Sequence, residues 1–247
     1  MTADLPSPDL PSLDGAALFL DFDGVLVDFA PAPDLVRPEP YIVDTLAALA
    51  DRLDGAVAMV TGRPLADIDR FLAPLTLPAA GQHGREVRLP SRPAVEAVPP
   101  DLSAEEEAVR AFVVDHPGTA AERKSAAVGL HYRQAPEHEQ AARDLMERLA
   151  DARDELTLMR GKMIFELKEA GVHKGLGVET LMRGKPFKGR TPVFVGDDVT
   201  DEDGFRAAQA LGGAGVKVGE GATEATHRVP DLWTVHRWLR EAVGAAA

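Results

Sequence analysis

The sequence predicts an α/β protein: a parallel-sheet core of the doubly wound kind, interrupted by a smaller α+β domain. Three observations carry this. Short apolar runs that stop at Gly, Asp or Thr recur at 16–20, 56–60, 77–80, 191–195 and 215–218. Helical spacings of apolar residues separate most of them, the alternation expected of a parallel βαβ sheet. Between the third run and the fourth the pattern changes to paired strands separated by helices, which suits an inserted α+β unit.

Residues 1–14 are acidic, carry Pro6, Pro8 and Pro11, and read as a flexible tail without the basic start and apolar stretch of a signal peptide. Ala16-Ala-Leu-Phe-Leu20 then forms a strand buried on both faces. It ends at Asp21-Phe22-Asp23-Gly24. The two acids share a face if the strand stays regular, and Gly24 lets the chain turn. Taken alone, these residues also fit an ordinary turn with acids capping a helix. The stretch 28–40 is a proline-rich loop. From Tyr41, the positions Ile42, Leu46, Leu49 and Leu53 mark a helix that Gly55 ends. A strand over 56–60 closes at Thr61-Gly62-Arg63-Pro64, and Leu65, Ile68, Phe71 and Leu72 form the next helix. A third strand, 77–80, ends at Gly81-Gln82-His83-Gly84.

Residues 86–100 alternate with prolines, as a hairpin or a linker. The inserted unit follows: a helix over 102–116 with Ser103 and Glu106 at capping-box spacing, strands turning near Lys124-Ser125, a helix over 136–152, and strands turning at Arg160-Gly161. The core resumes with a helix from Lys174, a strand over 191–195 that closes at Gly196-Asp197-Asp198 with Asp201 following, a helix over 205–211, a strand over 215–218 and a helix over 232–243. The domain reading is therefore a discontinuous core, 15–98 and 171–247, around an insert at 99–170.

Composition narrows the function. The chain has 247 residues, 45% of them apolar, enough for a sizeable core. It contains no cysteine, so disulfides and thiolate chemistry are excluded. No apolar run is long enough to span a membrane. A cytoplasmic location is the default. A formal charge of -13 argues against general nucleic-acid binding. A divalent cation and a few local basic groups reverse that sign inside one cleft.

Strand ends of a doubly wound sheet converge on one crevice. Here they carry Asp21 and Asp23, Thr61 and Arg63, and Asp197, Asp198 and Asp201. Clustered carboxylates raise each other's pKa unless a cation intervenes, and oxygen ligands suit Mg²⁺, or Mn²⁺ or Co²⁺. The group has the parts a carboxylate nucleophile needs against a phosphoryl group. Asp21 is the candidate nucleophile and Asp23 the general acid and base. Thr61 and Lys174 would hold phosphoryl oxygens, and Asp197 the metal.

The motifs Asp21-Phe-Asp23-Gly24, Val60-Thr61-Gly62-Arg63, Lys174 and Gly196-Asp197-Asp198 with Asp201 resemble the haloacid dehalogenase superfamily of phosphatases. Val25 departs from the threonine common there. Over nearly the whole chain after the tail the match is closer. Phe22-Asp-Gly-Val with Pro31-Ala-Pro33, Ala80-Gly-Gln-His-Gly84, Gly129-Leu-His-Tyr-Arg133, Gly161-Lys-Met-Ile-Phe-Glu166, Gly171-Val-His-Lys-Gly175 and Gly196-Asp-Asp-Val-Thr-Asp-Glu202 are similar to the trehalose-6-phosphate phosphatases.

The resemblance implies a Rossmann-like core, an α/β cap that closes over the sugar, and Mg²⁺-dependent hydrolysis of a small-molecule sugar phosphate, with no oligomeric state implied. It also implies metal ligation by Asp21, Asp23 and Asp197, with Asp198 and Asp201 orienting waters or Lys174. Glu122, Lys124 and Glu166 are implied as sugar-binding cap residues, their alternative being a solvated cap surface. Gly62, Arg63 and His83 join the substrate list. Arg63 either reaches phosphate or braces the acids, and His83 either faces the cleft or bonds within the core. Other readings are a phosphatase for glucosyl glycerate or sucrose phosphate, or a silent sugar-phosphate sensor; a phosphomutase fits the α/β cap less well.

Overall fold

The structure is a computed structural model that describes residues 10–28, 35–90, 95–96, 98, 100–124, 126–161 and 163–244. Most of the expected tail, the Pro31-Ala-Pro33 loop, Ser125 and Lys162 lie outside the described residues. In chain order the elements are β1 (Ala16–Leu20), α1 (Pro40–Arg52), β2 (Val57–Val60), α2 (Leu65–Leu72), β3 (Ala79–Gly81), β4 (Glu86–Arg88) and β5 (Val95–Glu96). There follow α3 (Ser103–Asp115), β6 (Ala120–Lys124), β7 (Ala127–His131), α4 (Glu139–Asp151), β8 (Leu156–Gly161) and β9 (Ile164–Glu169). The chain ends with α5 (Lys174–Met182), β10 (Thr191–Gly196), α6 (Glu202–Ala210), β11 (Ala214–Val218), β12 (His227–Val229) and α7 (Leu232–Ala242). Internal contacts divide it into two units, Met1–Ala97 with Val172–Ala247, and Val98–Gly171.

The larger unit is an eight-stranded sheet in the order β12-β11-β10-β1-β2-β3-β4-β5. It is parallel from β12 to β3. The pair β4 and β5 adds to it antiparallel at the sheet edge, the pairing expected of the hairpin reading of this stretch. β1 and β2 are buried along their whole length, as a sheet covered on both faces requires. α1 opens on Pro40, whose missing N–H costs nothing in a first turn, and buries Ile42, Leu46 and Leu49. The three-residue β12 has no apolar run to announce it. The switch in strand order falls at β1, which pairs with β10 on one side and β2 on the other.

The smaller unit is an antiparallel sheet in the order β6-β7-β9-β8. Val128, Leu130, Phe165 and Leu167 pack with Leu102 and Val109 near α3 and with Ala142 and Met146 of α4. The expected Ser103–Glu106 capping box is absent. Ser103 is already helical, and its N–H and Oγ both donate to Asp101 Oδ1 at 3.0 and 2.6 Å.

His236 of α7 ties three parts of the larger unit together. The Leu26 carbonyl can only accept, so Nε2–H donates to it at 3.2 Å, and Nδ1 accepts from Tyr41 Oη–H at 2.9 Å. Burial holds this imidazole below its ordinary pKa, against a raising effect of the Leu26 bond. As pH falls below ~6.5, the unfolded chain takes up a proton that the folded one refuses, so stability drops. The expected slope is up to ~1.4 kcal/mol per pH unit within that window. His236→Gln should remove that component, seen as a smaller difference between denaturation midpoints at pH 7 and pH 5.

Candidate active site

β1 ends at Leu20, and the Asp21 N–H still pairs with the Val195 carbonyl at 3.0 Å. The chain then curls. Gly24 N–H donates to Val27 O at 2.8 Å, while the N–H groups of Leu26 and Val27 donate to Phe22 O at 2.9 and 3.1 Å. Gly24 has φ +69°, and a Cβ there would lie 2.2 Å from Asp197 Cγ. Only glycine lets this turn lie against the β10 loop. Val25 is fully buried in the apolar core.

The strand does not continue, and Asp21 and Asp23 take different partners. The Asp21 carboxylate meets Lys174, whose Nζ donates to Asp21 Oδ2 at 2.7 Å and to Asp201 Oδ1 at 2.6 Å. Lys174 is 2% exposed and Asp201 is fully buried. Asp201 Oδ2 accepts from the N–H groups of Asp197 and Asp198 at 3.0 and 2.9 Å. Asp198 and Asp201 form a reciprocal capping box at the Val199–Asp201 turn. Lys217, 5% exposed, donates to the Asp197 carbonyl and to Val218 O.

Carboxylate oxygens of Asp21, Asp197 and Asp201 gather within 4.8 Å of one another. This trio differs by one member from the expected Asp21, Asp23 and Asp197. The Asp23 carboxylate is instead clamped by Arg63, with Nε at 2.6 Å and an Nη at 2.7 Å. Arg63 is thus a brace here, and its guanidinium lies 5.6 and 5.3 Å from the Phe22 and Phe71 ring centres.

Burial pushes Asp21 up to about 7; the Lys174 charge opposes this and Asp201 adds to it. Burial, helped by Asp201, pushes Asp197 up to about 6. Burial penalises the Lys174 ammonium, yet the flanking Asp21 and Asp201 outweigh it and hold Lys174 well above its usual range. Two ammoniums, Lys174 and Lys217, face three clustered carboxylates, so the cluster still carries one excess negative charge when all three are ionised. Hard oxygen donors in that state fit a divalent cation. Both Asp201 oxygens already accept bonds, which leaves Asp21 and Asp197 as the available ligands.

Beyond β2, Thr61 is fully buried. Its N–H donates to Ala80 O at 2.9 Å, and its Oγ1 accepts from Arg63 N–H at 3.2 Å. His83 lies with its ring against Gly62.

In the smaller unit, Glu122, Gly129 and Glu166 sit opposite one another across β6, β7 and β9. Lys124 Nζ donates to Glu166 Oε2 and lies 4.0 Å from Glu122 Oε2. His131 Nε2 lies 2.8 Å from Glu122 Oε2. His131 and Lys217 are site neighbours that the sequence motifs do not single out. Alternation along Gly129-Leu-His131 places His131 on the Glu122 face, and a lysine inside an apolar strand is itself a signal.

A parallel sheet with a buried carboxylate–lysine–carboxylate bridge at its switch point defines an α/β phosphatase of the haloacid dehalogenase class. The chain belongs to the trehalose-phosphatase family, whose model matches residues 19–231. It is 40% identical to the trehalose-6-phosphate phosphatase of Escherichia coli (strain K12) over 95% of this chain and 89% of that protein. The solved Aspergillus fumigatus trehalose-6-phosphate phosphatase superposes with a TM-score of 0.75 at 25% identity, covering 96% of this chain and 99% of that one. A Bacteroides thetaiotaomicron phosphatase of the haloalkanoate dehalogenase superfamily shares the fold, with a TM-score of 0.63 at 16% identity over 97% and 99% of the two chains. Among the described residues, no helix is long and apolar enough to cross a membrane.

Proposed function

We propose that this protein hydrolyses trehalose 6-phosphate to trehalose and phosphate through an aspartyl-phosphate on Asp21. The observation that carries the chemistry is the buried Lys174 ammonium bridging Asp21 and Asp201. It fixes the Asp21 carboxylate and supplies positive charge where an anionic phosphoryl group must approach. An Asp21 oxygen bonds to phosphorus as the bond from phosphorus to the sugar O6 breaks, and Asp23 gives its proton to O6. Water then bonds to phosphorus, Asp23 takes back a proton, and the bond to Asp21 breaks. An ion-paired Asp23 suits the second half. For the first half it carries a proton and gives up an Arg63 contact. Thr61 and Gly62 donate to phosphoryl oxygens. Asp21 and Asp197 would hold Mg²⁺, whose contribution is to offset the charge of phosphate against these carboxylates.

The choice of sugar rests on kinship with the family and on Glu122, Lys124 and Glu166, a charged row suited to hydroxyl groups. The cytoplasm is the location this reading implies. Phosphate release from a panel of sugar phosphates, with Mg²⁺ and with a chelator, tests it. Strong preference for trehalose 6-phosphate, lost on chelation, is the expected result. Equal rates on many sugar phosphates would remove the cap assignment, and no release from any would leave a sugar-phosphate sensor.

A further inference from the structure

We propose that His83 is a positioning residue for the phosphoryl-holding loop, its ring fixing the shape of Thr61–Gly62–Arg63. The inference rests on the reading of Thr61 and Gly62 as phosphoryl-oxygen donors. Immediately after β3 the backbone runs through positive φ in succession: +45° at Gln82, +59° at His83 and +106° at Gly84. Side chains other than glycine rarely adopt this region, and they persist there only where the surroundings hold them. If the turn alone were needed at 83, glycine would serve better.

The ring has an evident counterpart. A Cβ on Gly62 would lie 2.8 Å from both Cε1 and Nε2 of His83. Bulk at 83 thus matches the absence of bulk at 62. The turn is also sewn to the loop: His83 N–H donates to Thr61 O at 2.9 Å, and Gln82 N–H donates to Arg63 O at 3.0 Å. Glu86 accepts from the Leu65 N–H at 2.7 Å and from the Gln82 side chain. On its other side the turn meets the start of α5. A Cβ on Gly84 would approach His173 O to 3.0 Å and Gly177 N to 3.2 Å. The turn is therefore wedged between the Thr61 loop and the helix that carries Lys174, and the His83 ring is the piece that presses on the loop.

His83→Gly keeps the turn and relieves its strain while deleting the ring, so the variant is expected to fold, and its melting curve is recorded beside its turnover. Its turnover is measured with Mg²⁺ on an aryl phosphate, p-nitrophenyl phosphate, which makes the outcome independent of the natural sugar. A fall in kcat of about 10-fold with KM nearly constant is expected, the scale of a small misplacement. Gly62→Ala in the parent displaces the His83 ring and should also lower kcat, by about 10-fold, and by much less in the His83→Gly background, where the colliding ring is gone. Unchanged kcat in His83→Gly would overturn the proposal, as would losses that simply multiply in the double variant. A rise in KM confined to sugar phosphates would overturn it too, making His83 a sugar contact. Thr61→Ala with full kcat would instead remove the phosphoryl-loop reading on which the proposal rests.

Discussion

Asp21→Asn is expected to abolish phosphate release, by about 10⁴-fold or more, in a protein that folds as the parent does. A nucleophile's removal leaves only binding and electrostatic stabilisation, and an amide cannot form the acyl-phosphate. Stability should not follow activity. Burial raises Asp21 to about 7 from 3.8, so its folded form holds a proton that the unfolded chain releases. A group shifted upward contributes stability below its unfolded pKa and loses it as pH rises through the folded one. At pH 8 with chelator the parent carries a buried, ionised Asp21 beside Asp201, and the asparagine variant does not. The variant should then melt at or above the parent, and the difference should shrink by pH 5. Steady-state phosphate assays, acid-quench trapping of labelled enzyme and melting curves check the three parts. Residual turnover near the parent's would place the nucleophile elsewhere.

The parts of this centre that could be read from the sequence are those fixed by local pattern. Ala16–Leu20 and Thr191–Gly196 are apolar runs stopped by acids, and parallel strands bring such ends together. Lys174 opens a helix capped by His173, three residues after Gly171. What was not legible depends on how the chain bends after each strand. The two-residue spacing of Asp21 and Asp23 suggests a shared face, but β1 stops at Leu20 and the Gly24 turn sends Asp23 to Arg63. Asp201 enters the acidic trio because the Val199–Asp201 turn folds it back beneath the Asp197 and Asp198 N–H groups. The expected capping box at Ser103 failed for a similar reason. Asp101, two residues earlier, accepts the hydrogen bonds, and spacing alone does not say which polar residue starts a helix. His227-Arg-Val229 holds its place by pairing with β11, a tertiary cause that no three-residue pattern records.

Lys174→Met should be the most disruptive single change, because it removes a charge that two buried carboxylates share. The ammonium lies 2.7 Å from Asp21 and 2.6 Å from Asp201. Deleting one partner of a buried ion pair typically costs about 3–5 kcal/mol, since the remaining charge stays buried without compensation. For a chain of this size that corresponds to a melting temperature roughly 6–20 °C lower. Turnover should vanish with it, because Asp21 loses both its orientation and the nearby positive charge. The pH dependence has a definite sign. Without the ammonium only the Phe22 backbone hydrogen bond offsets the upward push of burial on Asp21, so its folded pKa rises further and the deficit is largest at high pH. Lowering pH from 8 to 5 loads protons onto the folded state and should recover part of the loss. Adding Asp21→Asn to Lys174→Met removes one of the stranded charges. The double variant should therefore melt well above Lys174→Met alone while remaining inactive, a coupling that independent sites do not show. If the two changes add without coupling, or if Lys174→Met melts with the parent, the bridge does not hold this centre together and Asp21 must be oriented by something else.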